Sequence, residues 1–310
     1  MANLPSRLKF GPYLARTSGK LGRGNFGTVL AGSHLKTGEC VAVKIEADKS
    51  DEASSSSSSP RLAREANIYR SLDGAIGFPR MRWFGRAHGH YALVLDRLGP
   101  SLRTVHRESG LQLPLAHVSH VGIEGLDRLE TLHDAGWLHL DVKPANLLLP
   151  SDFIDDDGGL ADALAGRPQL ACIDYGLSRS WRNDEMDESE EATTPRKRRR
   201  PVVGTGRFAS LSNHTGVEPL GRRDDLEALL LSCVWLHSGK LPWSGIDPER
   251  LLTKRDRFER MLECKQQASV KVVTEGLPSG FAAAFEKIRR LECDERPRYD
   301  EIRGLISTPL

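Results

Sequence analysis

The chain has 310 residues, 39% of them apolar, and its 44 basic and 42 acidic side chains nearly cancel to a formal charge of +2. That length supplies a core for one large domain or two lobes, and the charge balance removes any global reason to expect nucleic acid or an anionic membrane as main partner, so electrostatic function has to be local. Five scattered cysteines, none in a Cys-x-x-Cys pair, argue against a disulfide framework or zinc ribbon and fit a reducing compartment. No window approaches about 18 unbroken apolar residues, and Met1-Ala2-Asn3-Leu4-Pro5 offers neither a leader nor a myristoylation glycine, so secretion, spanning and lipid anchoring are not expected.

In chain order, residues 20 to 46 alternate apolar and polar positions and predict strands, joined by a glycine loop at 22 to 27 and a turn at Thr37-Gly38. A polar run, Ser54 to Ser59, leads into a helix capped by Ser59, with Pro60 in the first turn and Leu62, Ala66, Tyr69 and Leu72 on one face. Beyond about residue 100 the pattern turns helical. Asp225 to His237 is apolar on nearly every side and stops at Gly239, which predicts a buried helix. Residues 151 to 168, rich in Asp and Gly, and 181 to 201, acidic and then basic through Arg196 to Arg200, read as loops. No internal repeat is present.

Four strings carry chemistry. Leu21-Gly22-Arg23-Gly24-Asn25-Phe26-Gly27-Thr28-Val29 puts glycines where a backbone can bend and approach phosphate oxygens. Alone it also fits a glycine-rich hairpin; a dinucleotide fold would need a helix after the third glycine, whereas Thr28-Val29-Leu30 continues as strand. Val41-Ala42-Val43-Lys44-Ile45 buries one face and leaves Ala42 and Lys44 on the other. Glu65 lies on the apolar stripe of the following helix, where an unpaired carboxylate is costly, so it needs a cation and Lys44 is available. His139-Leu140-Asp141-Val142-Lys143-Pro144-Ala145-Asn146 places a base, a phosphate-binding cation and a metal-binding amide on one loop, and Ile173-Asp174-Tyr175-Gly176 adds a second carboxylate after a short apolar strand.

From about residue 12 to 306 the sequence resembles a eukaryotic protein kinase of the casein kinase I group. Group-specific strings are Trp83-Phe84-Gly85, Leu98-Gly99-Pro100-Ser101-Leu102, Gly204-Thr205-Gly206-Arg207-Phe208-Ala209-Ser210, Arg222-Arg223-Asp224-Asp225-Leu226-Glu227 and Leu241-Pro242-Trp243. Ser210-Leu211-Ser212-Asn213 stands where most kinases carry Ala-Pro-Glu. Tyr175, in place of the usual Phe, and Asn146-Leu147-Leu148-Leu149 are closer to the vaccinia-related kinases, a sister branch. Leu140 replaces the arginine usual before the catalytic Asp, which puts switching through activation-segment phosphorylation in doubt.

The resemblance implies an α+β, bilobal protein-kinase fold: a small antiparallel sheet with one main helix at about 12–95, a hinge at about 96–99 and a mostly helical lobe at about 100–306. An insertion is expected at about 151–168 and an activation segment at about 174–213. It implies a serine/threonine protein kinase using ATP and Mg2+, with Asp141, Lys143 and Thr205 catalytic and Asn146 and Asp174 holding the metal. Residues 21–29, Ala42 and Lys44 would bind nucleotide, with Glu65 holding Lys44; Leu95 would be the gatekeeper, and Asp96 and Leu98 would meet adenine. Asp225 should cap the buried helix and tie down the catalytic loop, and Arg296 should support the lobe.

Arg207, Gly245 and Arg257 match the group's anion pocket, which implies protein substrates with acidic or phosphorylated residues near the target Ser or Thr. Glu190 and Thr193, Glu191 and Thr194, Asp51 and Ser54, and Glu52 and Ser55 have the spacing for autophosphorylation. The aspartates 152 and 155 to 157 fit a solvated acidic loop, not a calcium motif. Arg196 to Arg200 reads as a solvated charge run or a nuclear import signal, so a cytoplasmic or nuclear monomer is expected, with neither nucleic-acid nor membrane binding. The alternative is a pseudokinase scaffold that binds nucleotide or partners without efficient catalysis, but Lys44, Asp141 and Asp174 are all in place. A small-molecule kinase is disfavoured by Lys143 and the complete helical lobe.

Overall fold

The structure, a computed structural model, describes residues 5–24, 27–48, 61–110, 112–153, 169–181, 201–216, 219–246 and 253–307. Asn25 and Phe26, the polar run with Ser59 and Pro60, residues 154–168, and the acidic-then-basic run 182–200 with its autophosphorylation candidates lie outside the described residues. The fold is α+β, in two compact units: residues 1–99 with 173–176, and residues 100–172 with 177–310.

The first unit is a six-stranded antiparallel sheet and a helix. Its strands are β1 (Arg7–Phe10), β2 (Tyr13–Gly24), β3 (Gly27–His34), β4 (Cys40–Ala47), β5 (Met81–Ala87) and β6 (His90–Asp96), in the order β1-β2-β3-β4-β6-β5. The sheet starts earlier than the alternation at 20 to 46 suggested, because Leu8 and Phe10 on β1 and Tyr13 and Ala15 on β2 complete its core. On β4, Val41, Val43 and Ile45 enter that core with Leu30 and Val94. Each buried side chain of this size contributes about 1.5–3 kcal/mol before entropy is counted. The turn expected at Thr37-Gly38 is present, with Gly38 at φ 74°.

Helix α1 (Arg61–Ser71) buries Leu62, Glu65, Ala66, Ile68 and Tyr69, and Leu72 is buried just past its end. Its N-terminal amide at Leu62 donates to Glu46 Oε2 at 3.1 Å, so a carboxylate from β4 sits at the positive end of the helix.

The second unit is helical. Among the described residues it holds α2 (Leu102–Glu108), α3 (Leu115–Asp134), α4 (Leu211–Thr215), α5 (Arg222–Ser238), α6 (Lys254–Gln267), α7 (Val270–Val273), α8 (Ser279–Arg289) and α9 (Tyr299–Ile306). Two short antiparallel pairs join them: β7 (Trp137–Leu138) with β10 (Arg179–Ser180), and β8 (Leu147–Leu148) with β9 (Ala171–Cys172). Helix α5 is buried on nearly all sides and ends at Gly239 in the left-handed conformation, as its composition predicts. It lies close against α3 because a Cβ at Gly125 would stand 2.5 Å from Leu229 Cδ1. Arg303 on α9 grips Asp127 at 2.7 Å and Glu130 at 3.1 Å on α3, and Arg296 pairs with Asp134 and Glu130 of the same helix. No helix among the described residues is long and apolar enough to cross a membrane.

One assignment is corrected. Asp225 does not cap α5. The helix begins at Arg222, so Asp224 is its third residue and accepts the Gly221 N–H at 2.7 Å, while Asp225, one position on, faces the loop 139–141. A single step along a helix turns a side chain by about 100°, which divides the two roles between neighbouring aspartates.

Candidate active site

In the first unit, strand register puts Val29, Ala42, Lys44 and Leu95 on one sheet face, opposite to the core of Val41, Val43 and Ile45. Lys44 Nζ lies 2.7 Å from Glu65 Oε2 and 2.6 Å from Asp174 Oδ1. Glu65 is only 2% exposed. Burial alone would lower the Lys44 pKa, but the two carboxylates outweigh it and hold the ammonium charged. Burial raises Glu65, against the pull of Lys44.

Asp174 adopts a left-handed backbone, φ 71°, and donates its N–H to Tyr69 Oη at 3.3 Å, while the Tyr69 and Tyr175 rings meet edge-on at 4.8 Å. Helix α1 thus supplies both the partner of Lys44 and the anchor for residues 174–175. Asp96 is held by Arg82, which also reaches Glu39 at 2.7 Å, and Asp96 Oδ2 accepts the Arg80 N–H at 3.1 Å. Leu98 follows, half-buried, in the irregular stretch after β6.

In the second unit, Asp141 is the hub. Its Oδ1 accepts from Thr205 N at 2.8 Å and Thr205 Oγ1 at 2.7 Å, and its Oδ2 takes the ammonium of Lys143, which also reaches Thr205 Oγ1 at 2.9 Å. Asn146 Nδ2 donates to the Asp141 carbonyl at 2.9 Å, which turns its amide oxygen away from that bond. Asp141, Lys143, Asn146 and Thr205 therefore form one connected group.

The loop behind this group is strained and heavily anchored. Leu140 is buried at φ 63°, a conformation that costs a non-glycine residue about 1–3 kcal/mol. Asp225 offsets that strain: Oδ1 accepts the Leu140 N–H at 2.7 Å, and Oδ2 accepts the His139 N–H at 2.7 Å and His133 Nε2 at 3.0 Å. Burial alone would raise the Asp225 pKa, but these donors and the nearby imidazoles lower it. Gly204, at φ 82°, has to be glycine, since a Cβ there would stand 2.3 Å from the Leu140 carbonyl.

The stretch in place of Ala-Pro-Glu is held by hydrogen bonds. Ser210 donates to Asp224 and caps α4 through Asn213 N at 2.9 Å, and the Asn213 amide pairs both ways with the Val203 backbone at 2.9 and 3.1 Å. Burial, with Ser210 and Gly221 N–H opposing, pushes Asp224 up to about 6.

Of the proposed anion-pocket residues, Arg207 is exposed with its carbonyl held by Trp243 Nε1 at 2.8 Å. Gly245 lies open, with nothing within 4 Å of a Cβ position, and Arg257 is half-buried on α6. Sequence reasoning missed Asp224 as the cap, Tyr69 as a partner of Asp174, and Lys265, a buried lysine on an otherwise charge-rich helix. The first two carried signals, an aspartate at the third helical position and a tyrosine on the Glu65 face; Lys265 carried none. A family model of the protein kinase domain matches residues 15–302, a span that takes in both groups of side chains, and the chain therefore belongs to the protein kinase domain family.

Proposed function

We propose that this protein kinase is catalytically active, phosphorylates Ser and Thr, and belongs to the casein kinase I group. The carrying observation is the Thr205 hydroxyl on Asp141: a hydroxyl at 2.7 Å from Oδ1 occupies the relation that a substrate Ser or Thr hydroxyl would take to its base.

The chain suits ATP. Among the described residues nothing lies within 4 Å of a Cβ at Gly22 and its φ is not left-handed, so none of them demands glycine there; a closely approaching phosphate would. It also suits Mg2+. Among the described residues no cluster of three or more His, Cys, Asp or Glu could hold a metal alone. The family resemblance assigns Mg2+ to Asn146 and Asp174, each offering a hard oxygen, the small protein share that Mg2+ takes when phosphates complete its shell. Bound there, Mg2+ would supply charge neutralisation at the phosphates.

Asp141 orients the hydroxyl and accepts its proton as the new O–P bond forms and the bond between the γ-phosphorus and the ADP oxygen breaks. Lys143 neutralises charge on the moving phosphoryl group, and Lys44, released in part from Asp174, meets the α/β-phosphates while Glu65 keeps it in place. Catalysis is positioning and electrostatics. Arg207, Gly245 and Arg257 are proposed to favour acidic or phosphorylated sites by charge-assisted hydrogen bonds. The test is radiolabelled phosphate transfer to casein and to a basic protein, with Asp141→Asn as control. Transfer by the wild type alone supports the reading; no transfer, or equal transfer by the variant, ends it.

A further inference from the structure

Helix α6 carries a run of charged side chains, yet Lys265 is 2% exposed. A buried ammonium is costly unless every donor is used. Here Nζ donates to the carbonyls of Gly206, at 2.8 Å, and Ala209, lies 3.3 Å from His214 Nδ1, and sits 5.0 Å from the centre of the Trp243 ring. Backbone carbonyls and an imidazole take it in place of a carboxylate.

The segment it grips lies between the catalytic hub and the exposed Arg207. The Thr205 carbonyl accepts from Phe208 N at 2.9 Å and Ala209 N at 3.0 Å, and Trp243 holds the Arg207 carbonyl. Two further turn carbonyls, at 206 and 209, are those Lys265 binds. Beyond the bonds of Asp141 and Lys143 to Thr205, the turn is thus held by two side chains from later in the chain, Trp243 and Lys265.

We infer that Lys265 is a positioning residue for protein-substrate recognition: its ammonium fixes the 205–209 turn so that Thr205 stays on Asp141 while Arg207 faces the substrate. This rests on the reading of the chain as an active kinase. The charged groups bearing on Lys265 are Glu227 on α5, which favours its charge, and Arg289 on α8, which opposes it. His214 on α4, pushed down to about 3 by burial and then by Lys265, stays neutral and accepts. Burial foremost pushes Lys265 down to about 7, so near neutrality it passes to an amine with two donors for three acceptors. Charge-assisted bonds are roughly twice as strong as neutral ones, so the grip weakens as pH rises.

The experiment compares wild type with Lys265→Met, which keeps the apolar stem, on an acidic peptide at pH 6.0 and 8.5. The peptide KM is expected to rise about tenfold at pH 6.0 with the ATP KM within about twofold, and the gap to shrink to about threefold at pH 8.5. Amide exchange across residues 205–210 should quicken about tenfold at pH 6.0. A KM gap that is the same at both pH values, which plain packing would give, overturns the inference, as does unchanged exchange. Should Lys265→Met not fold, Lys265→Arg replaces it: a permanent charge should remove the wild type's rise in peptide KM with pH, and a profile like the wild type's overturns the inference. Wild type without activity would sink the kinase reading instead, while the exchange measurement still decides the tether.

Discussion

Lys44 in the first unit, half-buried, and Asp225 in the second, fully buried, are charges held in opposite ways. Lys44 is balanced by two other charges, Glu65 at 2.7 Å and the partly exposed Asp174 at 2.6 Å, so one partner can be exchanged without undoing the sheet. Asp225 is balanced by three N–H donors at 2.7–3.0 Å, two of them main chain. Those cannot be released without releasing the loop at 139 and 140. A charge neutralised by charges is available to a ligand; a charge neutralised by backbone dipoles is scaffold.

The sharpest separation is expected from Lys44→Met and Asp174→Asn. Each should cut phosphate transfer by about a thousandfold with little change in melting temperature, because the ion group serves the ligand more than the fold. Coupled melting and activity loss would erase the distinction. Asp225→Asn should do the reverse, lowering unfolding free energy by about 3 kcal/mol in denaturant titrations, since an amide offers one acceptor for three donors. Activity should fall as the loop loosens. A wild-type midpoint for Asp225→Asn would show that the scaffold role is misassigned.

Asp224, beside Asp225 but unlike it, sharpens the contrast through pH. Its folded pKa, pushed up to about 6, lies above the unfolded value, so the folded state binds the proton more tightly. Its contribution is therefore fully present below the unfolded pKa and is lost as pH rises through about 6. The stability gap between wild type and Asp224→Asn should shift by about 2–3 kcal/mol between pH 4 and 7, with wild type losing ground at the higher pH. Urea unfolding at several pH values reads this directly, and a flat difference would refute it. Tyr69→Phe should have the smallest effect, removing the acceptor of the Asp174 N–H at 3.3 Å: about 1 kcal/mol of stability and a severalfold drop in transfer. A loss as large as that of Asp174→Asn would mean that α1 controls the ion group through Tyr69 and not through Glu65.

Much of the frame was legible in the residues. The alternation of Val41, Val43 and Ile45 dictates which face of β4 enters the core and therefore where Lys44 points, and the all-round apolar surface of α5 dictates its burial. The glycine and Asp-containing strings stand out because so few residue types suit phosphate and metal chemistry. Legibility stopped where one position changes the answer. Asp224 and Asp225 are alike in composition, and only the start of α5 at Arg222 decides which one caps the helix and which one anchors residues 139 and 140.

Lys265 lies among charged neighbours, and nothing in that string separates it from Arg255 or Arg260, which are exposed. Periodicity and residue chemistry, being local, were set by the sequence alone: the strand faces, the buried helix, and the side chains fit for phosphate and metal. Which of those side chains meet was decided by tertiary packing, because Lys44 and Asp174 stand 130 residues apart and Lys265 and Gly206 stand 59 apart. Contacts over such separations depend on how whole elements pack, and no short window of sequence records that.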